Sequence, residues 1–166
     1  VEGLCYFNPD ILPTDEQLPQ LHIRSFSIHN NRILPNKEFN DRIIIESRIS
    51  NNDILNLNYN ENNISFDIDA IYSTAATDHY IKFKLEPISN EWIHFPAKEQ
   101  KISFNGLQPD KYKLLLSASN SFGEWTEPLS VNIRISPPFS RSVIAYILYF
   151  TLSIVIISLV VYNMLR

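Results

Sequence analysis

The chain has 166 residues, a formal net charge of −4, three glycines and one cysteine. This length allows one domain of ordinary size and a short additional segment. The 14 basic residues are scattered and form no concentrated patch, which argues against nucleic acid as a partner. Three glycines cannot build a glycine-rich phosphate loop, and a lone cysteine offers neither an internal disulfide nor a zinc site, so no cofactor is expected.

The N-terminal part divides into a short apolar segment and a linker. Residues 1–12 contain Cys5 between Leu4 and Tyr6, which favours a buried thiol over a reactive one. Residues 13–19, PTDEQLP, begin and end with proline, and proline removes a backbone donor and disfavours helix before it. A linker is therefore predicted at 13–19, followed by a separate domain at 20–136.

Residues 20–136 carry runs in which apolar and polar side chains alternate, as in strands with one buried face. The predicted strands are Leu21–Ile28, Arg42–Ile49, Leu55–Tyr59, Ile64–Ala70, Ile81–Leu85, Tyr112–Ala118 and Val131–Ile135. The stretch NENN at 60–63 predicts a hairpin between the third and fourth of them. Short strands with frequent turns and no helical period predict an all-β fold, an immunoglobulin/fibronectin III-like antiparallel β-sandwich.

Tyr112 follows a proline-containing turn, LQPDKY at 107–112, and begins a predicted strand. In immunoglobulin-like sandwiches a tyrosine at this position forms a tyrosine corner, in which its hydroxyl binds upstream backbone. A structural role is expected for Tyr112.

The C-terminal part predicts a membrane anchor. Residues 137–141 form a linker in which Pro137 and Pro138 give a short, semi-rigid spacer. The segment 142–165 contains 23 uncharged residues from Val143 to Leu165, which as a helix would span roughly 34 Å, enough to cross a bilayer. Arg141 and Arg166 bracket it, so charge alone does not set its orientation.

Few residues suggest chemistry. Asp67 and Asp69 would lie about 7 Å apart on one strand face, a spacing open to a calcium pair but more typical of a solvated face. The four histidines, His22, His29, His79 and His94, have no metal-ligand spacing, and no catalytic or metal-binding residue is predicted. Trp92 and Trp125 could stack on a sugar ring, although packing is the favoured interpretation.

Five segments of the chain follow each other in a characteristic order: LNYNENNISF at 57–66, YIKFKLE at 80–86, Trp92, GLQPDKY at 106–112 and NSFGEW at 120–125. In this order they resemble the three-tyrosine domain of bacterial hybrid two-component sensors. Residues 3–9, GLCYFNP, resemble the last strand of a β-propeller, which precedes this sandwich in that family. The resemblance implies that a proline–proline–aromatic linker leads directly from the sandwich into a membrane helix.

The chain departs from this family at its name-giving tyrosines. Only Tyr112 remains, and Phe83 and Phe104 stand at the other two positions. Phenylalanine keeps the buried ring and loses the hydroxyl, so packing should survive without the hydrogen bond. The resemblance implies family core positions at Phe83, Trp92, Phe104, Tyr112 and Trp125.

The function implied by the resemblance is that of a membrane-proximal sensor module. It would relay a rearrangement, caused by an oligosaccharide bound to an upstream propeller, to a cytoplasmic kinase. The segment itself would not be an enzyme, would form a homodimer through the sandwich and the helix, and would cross the inner membrane once, with residues 1–141 extracytoplasmic. Two alternatives remain open: a membrane-anchored carbohydrate-binding or adhesion module that uses Trp92 or Trp125, and an accessory subunit of an envelope complex.

Overall fold

A computed structural model describes residues 17–72, 79–138 and 143–166. Residues 1–12 with Cys5, most of the 13–19 linker and most of the 137–141 linker lie outside the described residues, and the predictions made there stay predictions. The described elements are β1 (Gln20–Ile28), β2 (Asn31–Ile33), β3 (Glu38–Phe39), β4 (Arg42–Ile43), β5 (Asp53–Leu57), β6 (Ile64–Ile71), β7 (Tyr80–Glu86), β8 (Ile93–Pro96), β9 (Lys101–Phe104), β10 (Lys111–Ala118), β11 (Leu129–Ile135) and α1 (Val143–Leu165).

The strands form two sheets, which confirms the predicted β-sandwich. One sheet has the order β2-β1-β6-β9 and the other has the order β5-β11-β10-β7-β8, while β3 and β4 form a separate small ribbon. Neighbouring strands are antiparallel except for β5 and β11, which run parallel. The prediction of an antiparallel sandwich is therefore correct except for the pair formed by β5 and β11.

The core lies between the two sheets and follows the period of two. Alternate residues of β6, such as Phe66 and Ile68, and of β10, such as Leu114 and Leu116, are fully buried. Phe66 also packs on Phe26 of β1, with ring centroids 5.1 Å apart. Each such side chain contributes about 1.5–3 kcal/mol through its burial, so the core fixes the register of both sheets.

The predicted hairpin at 60–63 is wrong, because β5 and β6 belong to different sheets. Residues 58–63 instead carry the chain across the sandwich. The Glu61 amide donates to the Asn58 carbonyl oxygen at 2.9 Å, and the Asn58 amide donates to the Glu61 carboxylate at 2.8 Å. The buried Glu61 side chain, 1% exposed, thus closes a turn that points inward, which a hairpin loop in water would not do.

The predicted strand Arg42–Ile49 is also mostly wrong. Only Arg42–Ile43 is extended and paired, with β3, through a two-residue turn in which Asn40 and Asp41 have φ values of 51° and 61°. The rest of the segment does not alternate: Ile45 and Ile49 are buried, and the three residues between them are exposed. In the apolar run at 43–45, Ile45 therefore belongs to the core and Ile44 packs against it, whereas Ile43 is exposed.

The helix α1 contains 23 residues from Val143 to Leu165 and is long and apolar enough to cross a membrane, as predicted. Two of its hydroxyl groups bind the preceding turn, Thr151 to the Leu148 carbonyl at 2.9 Å and Ser153 to the Phe150 carbonyl at 2.7 Å. These bonds satisfy polar donors that lipid could not satisfy.

Candidate functional site: the strand that leads to the helix

Strand β11 joins the sandwich core to the linker before α1. It lies between β5 and β10 in the five-stranded sheet, and the inward side chains of Val131 and Ile133 are fully buried. Two backbone hydrogen bonds hold its end, from the Ile135 amide to the Asp110 carbonyl and from the Ser136 amide to the Leu57 carbonyl, both at 2.9 Å. The chain is therefore fixed to the core as far as Ser136.

Pro137 and Pro138 follow this fixed point. Pro137 is exposed and Pro138 is half-buried. Proline restricts its own backbone and the residue before it, so these positions extend the strand with little freedom to bend. Beyond Ser136, the last residue anchored to the sandwich, the structure describes only these two prolines before residue 139.

Tyr112 braces the turn that anchors β11. Its side chain is 5% exposed, and its hydroxyl donates to the Gln108 carbonyl oxygen at 2.7 Å, the hydrogen bond expected of a tyrosine corner. Burial raises the pKa of the Tyr112 phenol, and the nearby Asp110 carboxylate raises this pKa further. The same turn supplies the Asp110 carbonyl that binds Ile135, so Tyr112 supports the end of β11 through two hydrogen bonds.

Phe83 and Phe104, the other two positions of the resemblance, contact each other across the sandwich. Phe83 lies on β7 and Phe104 on β9, which belong to different sheets, and their ring centroids are 5.9 Å apart at 75°. Phe83 makes a second edge contact, with Phe95, at 5.8 Å. Both rings are partly buried against the core, so this pair ties the two sheets together by packing alone.

Trp92 and Trp125 lie on the outer face of the five-stranded sheet and are not part of its buried core cluster. The Lys82 ammonium contacts both indole rings, 4.9 Å from the Trp92 centroid and 4.0 Å from the Trp125 centroid. His94 meets Trp125 edge-on at 5.4 Å. Burial lowers the pKa of Lys82, whereas the two indole contacts favour its charged form.

This cluster can hold a cation between two aromatic rings, but it offers little free ring surface. A sugar that stacked on Trp125 would have to displace Lys82 from the ring face. The indoles therefore pack against the ammonium group of Lys82, and their placement gives little support for carbohydrate binding.

Asp67 and Asp69 already have partners within the sheet. Asp67 accepts a hydrogen bond from the Ser25 hydroxyl, and the Asp69 carboxylate lies 3.8 Å from Arg24 Nε. Within residues 17–72, 79–138 and 143–166, no group of three or more His, Cys, Asp or Glu side chains is placed to hold a metal. Of the histidines, His79 is buried and stacks on Tyr72 at 3.7 Å.

The opposite end of the sandwich, where β1 begins and β6 ends, exposes apolar side chains that the sequence did not single out. Ile71 is 58% exposed at the end of β6, Tyr80 is 47% exposed at the start of β7, and Phe122 is 61% exposed in the turn after β10. Leu18, just before β1, is 46% exposed. These residues stand at strand ends or in turns, where alternation carries no signal, although a large apolar residue in a turn is itself unusual.

The chain matches no family model and no curated protein. It does resemble solved structures from B. thetaiotaomicron. Two structures of the extracellular domain of BT4673 each superpose on 74% of this chain. One, described as a one-component system, has a TM-score of 0.62 and 23% identity. The other, described as a hybrid two-component system, has a TM-score of 0.60 and 24% identity. The extracellular domain of the hybrid two-component system BT3049 gives 0.58 at 25% identity over 81% of this chain.

These similarities support the β-sandwich and relate it to extracellular domains of two-component systems. The chain spans only 16–18% of the length of these structures. The chain thus combines a β-sandwich similar to part of these extracellular domains with one helix that is long and apolar enough to cross a membrane.

Proposed function

We propose that this chain is the membrane-proximal extracytoplasmic module of a two-component sensor, and that it is not itself catalytic. It passes a rearrangement of a preceding domain to α1 and from there to a cytoplasmic kinase. The observation that carries this proposal is that β11, a strand inside the core, continues through Pro137 and Pro138 toward the helix.

The physical basis is the stiffness of the chain from β11 through Pro138. Strand β11 is paired on both sides, so it cannot shift without breaking its pairing to β5 or β10. A displacement of the whole sandwich therefore moves Ser136, and two prolines leave little slack to absorb the movement. A ligand changes the output by binding more tightly to the arrangement that signals.

At the end of the sandwich where β1 begins, the exposed apolar residues favour the proposal that a second domain precedes this one. The end of the sandwich at which the chain enters carries four exposed apolar residues, Leu18, Ile71, Tyr80 and Phe122. An apolar surface at this position suits contact with a β-propeller that binds an oligosaccharide. A homodimer formed through the sandwich and α1, in the inner membrane, would complete the sensor.

The test replaces the stiff spacer in the complete receptor. Pro137→Gly combined with Pro138→Gly should reduce ligand-dependent phosphorylation toward its level without ligand, because flexible glycines absorb the displacement. The measurement compares phosphorylation with and without ligand in isolated membranes.

The matched control is Pro128→Gly, which makes the same change in an exposed residue just before the other end of β11. It should leave the response to ligand intact, and neither variant should change the melting temperature appreciably. A fully retained response in the Pro137 and Pro138 variant would contradict the relay and favour a membrane-anchored binding or adhesion module.

A further inference from the structure

The sandwich end at which β11 stops, here called the C-terminal end, is built from turns that bind each other. The Leu107 amide donates to the Asn62 carbonyl at 3.1 Å, and the Gly106 amide donates to the Asn63 side chain at 2.7 Å. Two other residues of this end are large, apolar and exposed: Tyr59 at 52% and Ile88 at 61%. Both stand in turns, Tyr59 after β5 and Ile88 after β7.

These two side chains flank the strand that leads to the helix. In the order β5-β11-β10-β7-β8, Tyr59 follows one edge strand and Ile88 joins the last two strands. Strands lie about 4.8 Å apart, so β5 and β7 are separated by roughly 14 Å, with β11 between them. Tyr59 and Ile88 thus lie on the two sides of the point where the chain leaves the sandwich.

Covalent geometry keeps this end near the bilayer. Ser136 is held to the core by its hydrogen bond to Leu57, and α1 begins at Val143. Seven residue steps span at most roughly 25 Å when fully extended. Tyr146 and Tyr149 in the first turns of α1 are exposed, and their rings meet edge to face with centroids 6.5 Å apart. Exposed tyrosines at this position suit the headgroup level of a membrane.

Two basic side chains at this end suit the phosphates of a phospholipid surface, although the exposed Asp110 carboxylate accepts a hydrogen bond from the Lys111 amide beside them. Lys111 and Arg134 are exposed and lie directly opposite each other on β10 and β11. Like charges in directly opposed positions destabilise a sheet, and a phosphate between them would relieve this repulsion.

We propose that the C-terminal end is a bilayer-contact surface, in which Tyr59 and Ile88 insert into the headgroup region on either side of the helix. Lys111 and Arg134 contact lipid phosphates. This surface limits the tilt of the sandwich against the membrane. It requires that α1 crosses a bilayer, but it does not depend on the chain being part of a sensor.

The test places an environment-sensitive dye at single positions. In a Cys5→Ser background, Tyr59→Cys and Ile88→Cys are each labelled with a nitrobenzoxadiazole dye, and the chain is inserted into nanodiscs of phosphatidylcholine with phosphatidylglycerol. The matched control is Phe122→Cys at the opposite end, where Phe122 is 61% exposed. The dyes at 59 and 88 should emit at shorter wavelength than the dye at 122 and should be quenched by spin-labelled lipid.

The label at 122 should remain in water and resist quenching. All three positions are exposed, so labelling should not disturb the core, and circular dichroism of each labelled chain checks this. The proposal is overturned if the dye at either 59 or 88 has the emission and quenching of the dye at 122. Lys111→Gln with Arg134→Gln should reduce the quenching at both positions, whereas quenching unchanged by that variant would exclude the phosphate contact.

Discussion

Glu61 is a charged side chain buried in the loop that joins the two sheets. Its carboxylate forms an ion pair with Arg42 and accepts hydrogen bonds from the Asn40 side chain at 3.1 Å and the Asn58 amide at 2.8 Å. Arg42 also donates to the Asn56 carbonyl at 2.7 Å. One acidic group thus connects the β3–β4 turn, the end of β5 and the crossing loop.

Replacing Glu61 should therefore be costly. Glu61→Ala should lower the free energy of unfolding by about 3 kcal/mol, near the lower limit for a broken buried pair, because Arg42 is partly exposed and can be rehydrated. Urea denaturation measures this change. The control is Glu86→Ala, which removes a partly exposed acid paired with Lys84 and should have a much smaller effect. Equal effects of the two substitutions would show that the Glu61 network does not stabilise the loop.

Tyr112 offers a prediction that depends on pH. Tyr112→Phe should cost about 1 kcal/mol of stability at neutral pH, because the Gln108 carbonyl loses its donor. The pKa of Tyr112 is raised in the folded protein, mainly by burial, so folding disfavours the phenolate. The stability linked to this group is complete below its unfolded pKa of about 10 and is lost as pH rises through the folded pKa.

The difference in stability between the original chain and Tyr112→Phe should thus shrink above about pH 10. Thermal denaturation at a series of pH values measures this difference, and the other tyrosines cancel because both chains contain them. A difference that stayed constant above pH 10 would mean that the Tyr112 phenol has the same pKa in the folded chain as in the unfolded chain.

At the scale of elements, alternation predicted the strands that have one buried and one wet face. Leu21–Ile28, Ile81–Leu85 and Val131–Ile135 all fall within strands of the structure. The short strands β2, β8 and β9 were missed, since three or four residues are too few for a period to appear. The sequence does contain an indication of the turn between β1 and β2. His29 and Asn30 adopt φ values of 49° and 64°, and asparagine is favoured at such positions of a hairpin turn.

The hairpin at 60–63 failed for a different physical reason. Turn-forming residues indicate that the chain reverses or bends, but they do not indicate whether the next strand joins the same sheet. The partner of β5 is β11, more than seventy residues later, and only tertiary packing selects it. The feature that marks this loop as inward-facing is the buried carboxylate of Glu61. A single sequence does not show whether an acidic residue is buried or solvated.

The candidate site was predicted in part. Tyr112 and the Pro137–Pro138 spacer came from local sequence, because a tyrosine corner and a rigid linker are defined by neighbouring residues. The backbone bonds that anchor Ile135 and Ser136 could not be predicted, because their partners, Asp110 and Leu57, are distant in sequence. Trp92 and Trp125 were assigned to core positions, but contact with Lys82 places them on the outer face, where an indole can remain half-buried against a lysine ammonium group.

At the scale of the whole molecule, the two ends of the sandwich differ in what they must contact. The chain enters among exposed apolar side chains and leaves between Tyr59 and Ile88, so a rigid body connects one surface to the other. The proposed relay requires this body to keep its shape without help from the helix, because a sandwich that softened when α1 moved would lose the displacement that it carries. All residues of the hydrophobic core cluster lie between Ile23 and Ile135.

A chain that ends after Pro138 should therefore fold as a soluble sandwich. Its melting temperature, measured by circular dichroism, should lie within a few degrees of that of the complete chain in nanodiscs, because no part of the core has been removed. A chain that ends after Ser130 is the control: it lacks Val131, Ile133 and Ile135, leaves β5 without its partner, and should not unfold cooperatively. If the chain that ends after Pro138 melted far below the complete chain, the helix would be stabilising the sandwich. The two parts would then respond to a signal as one unit.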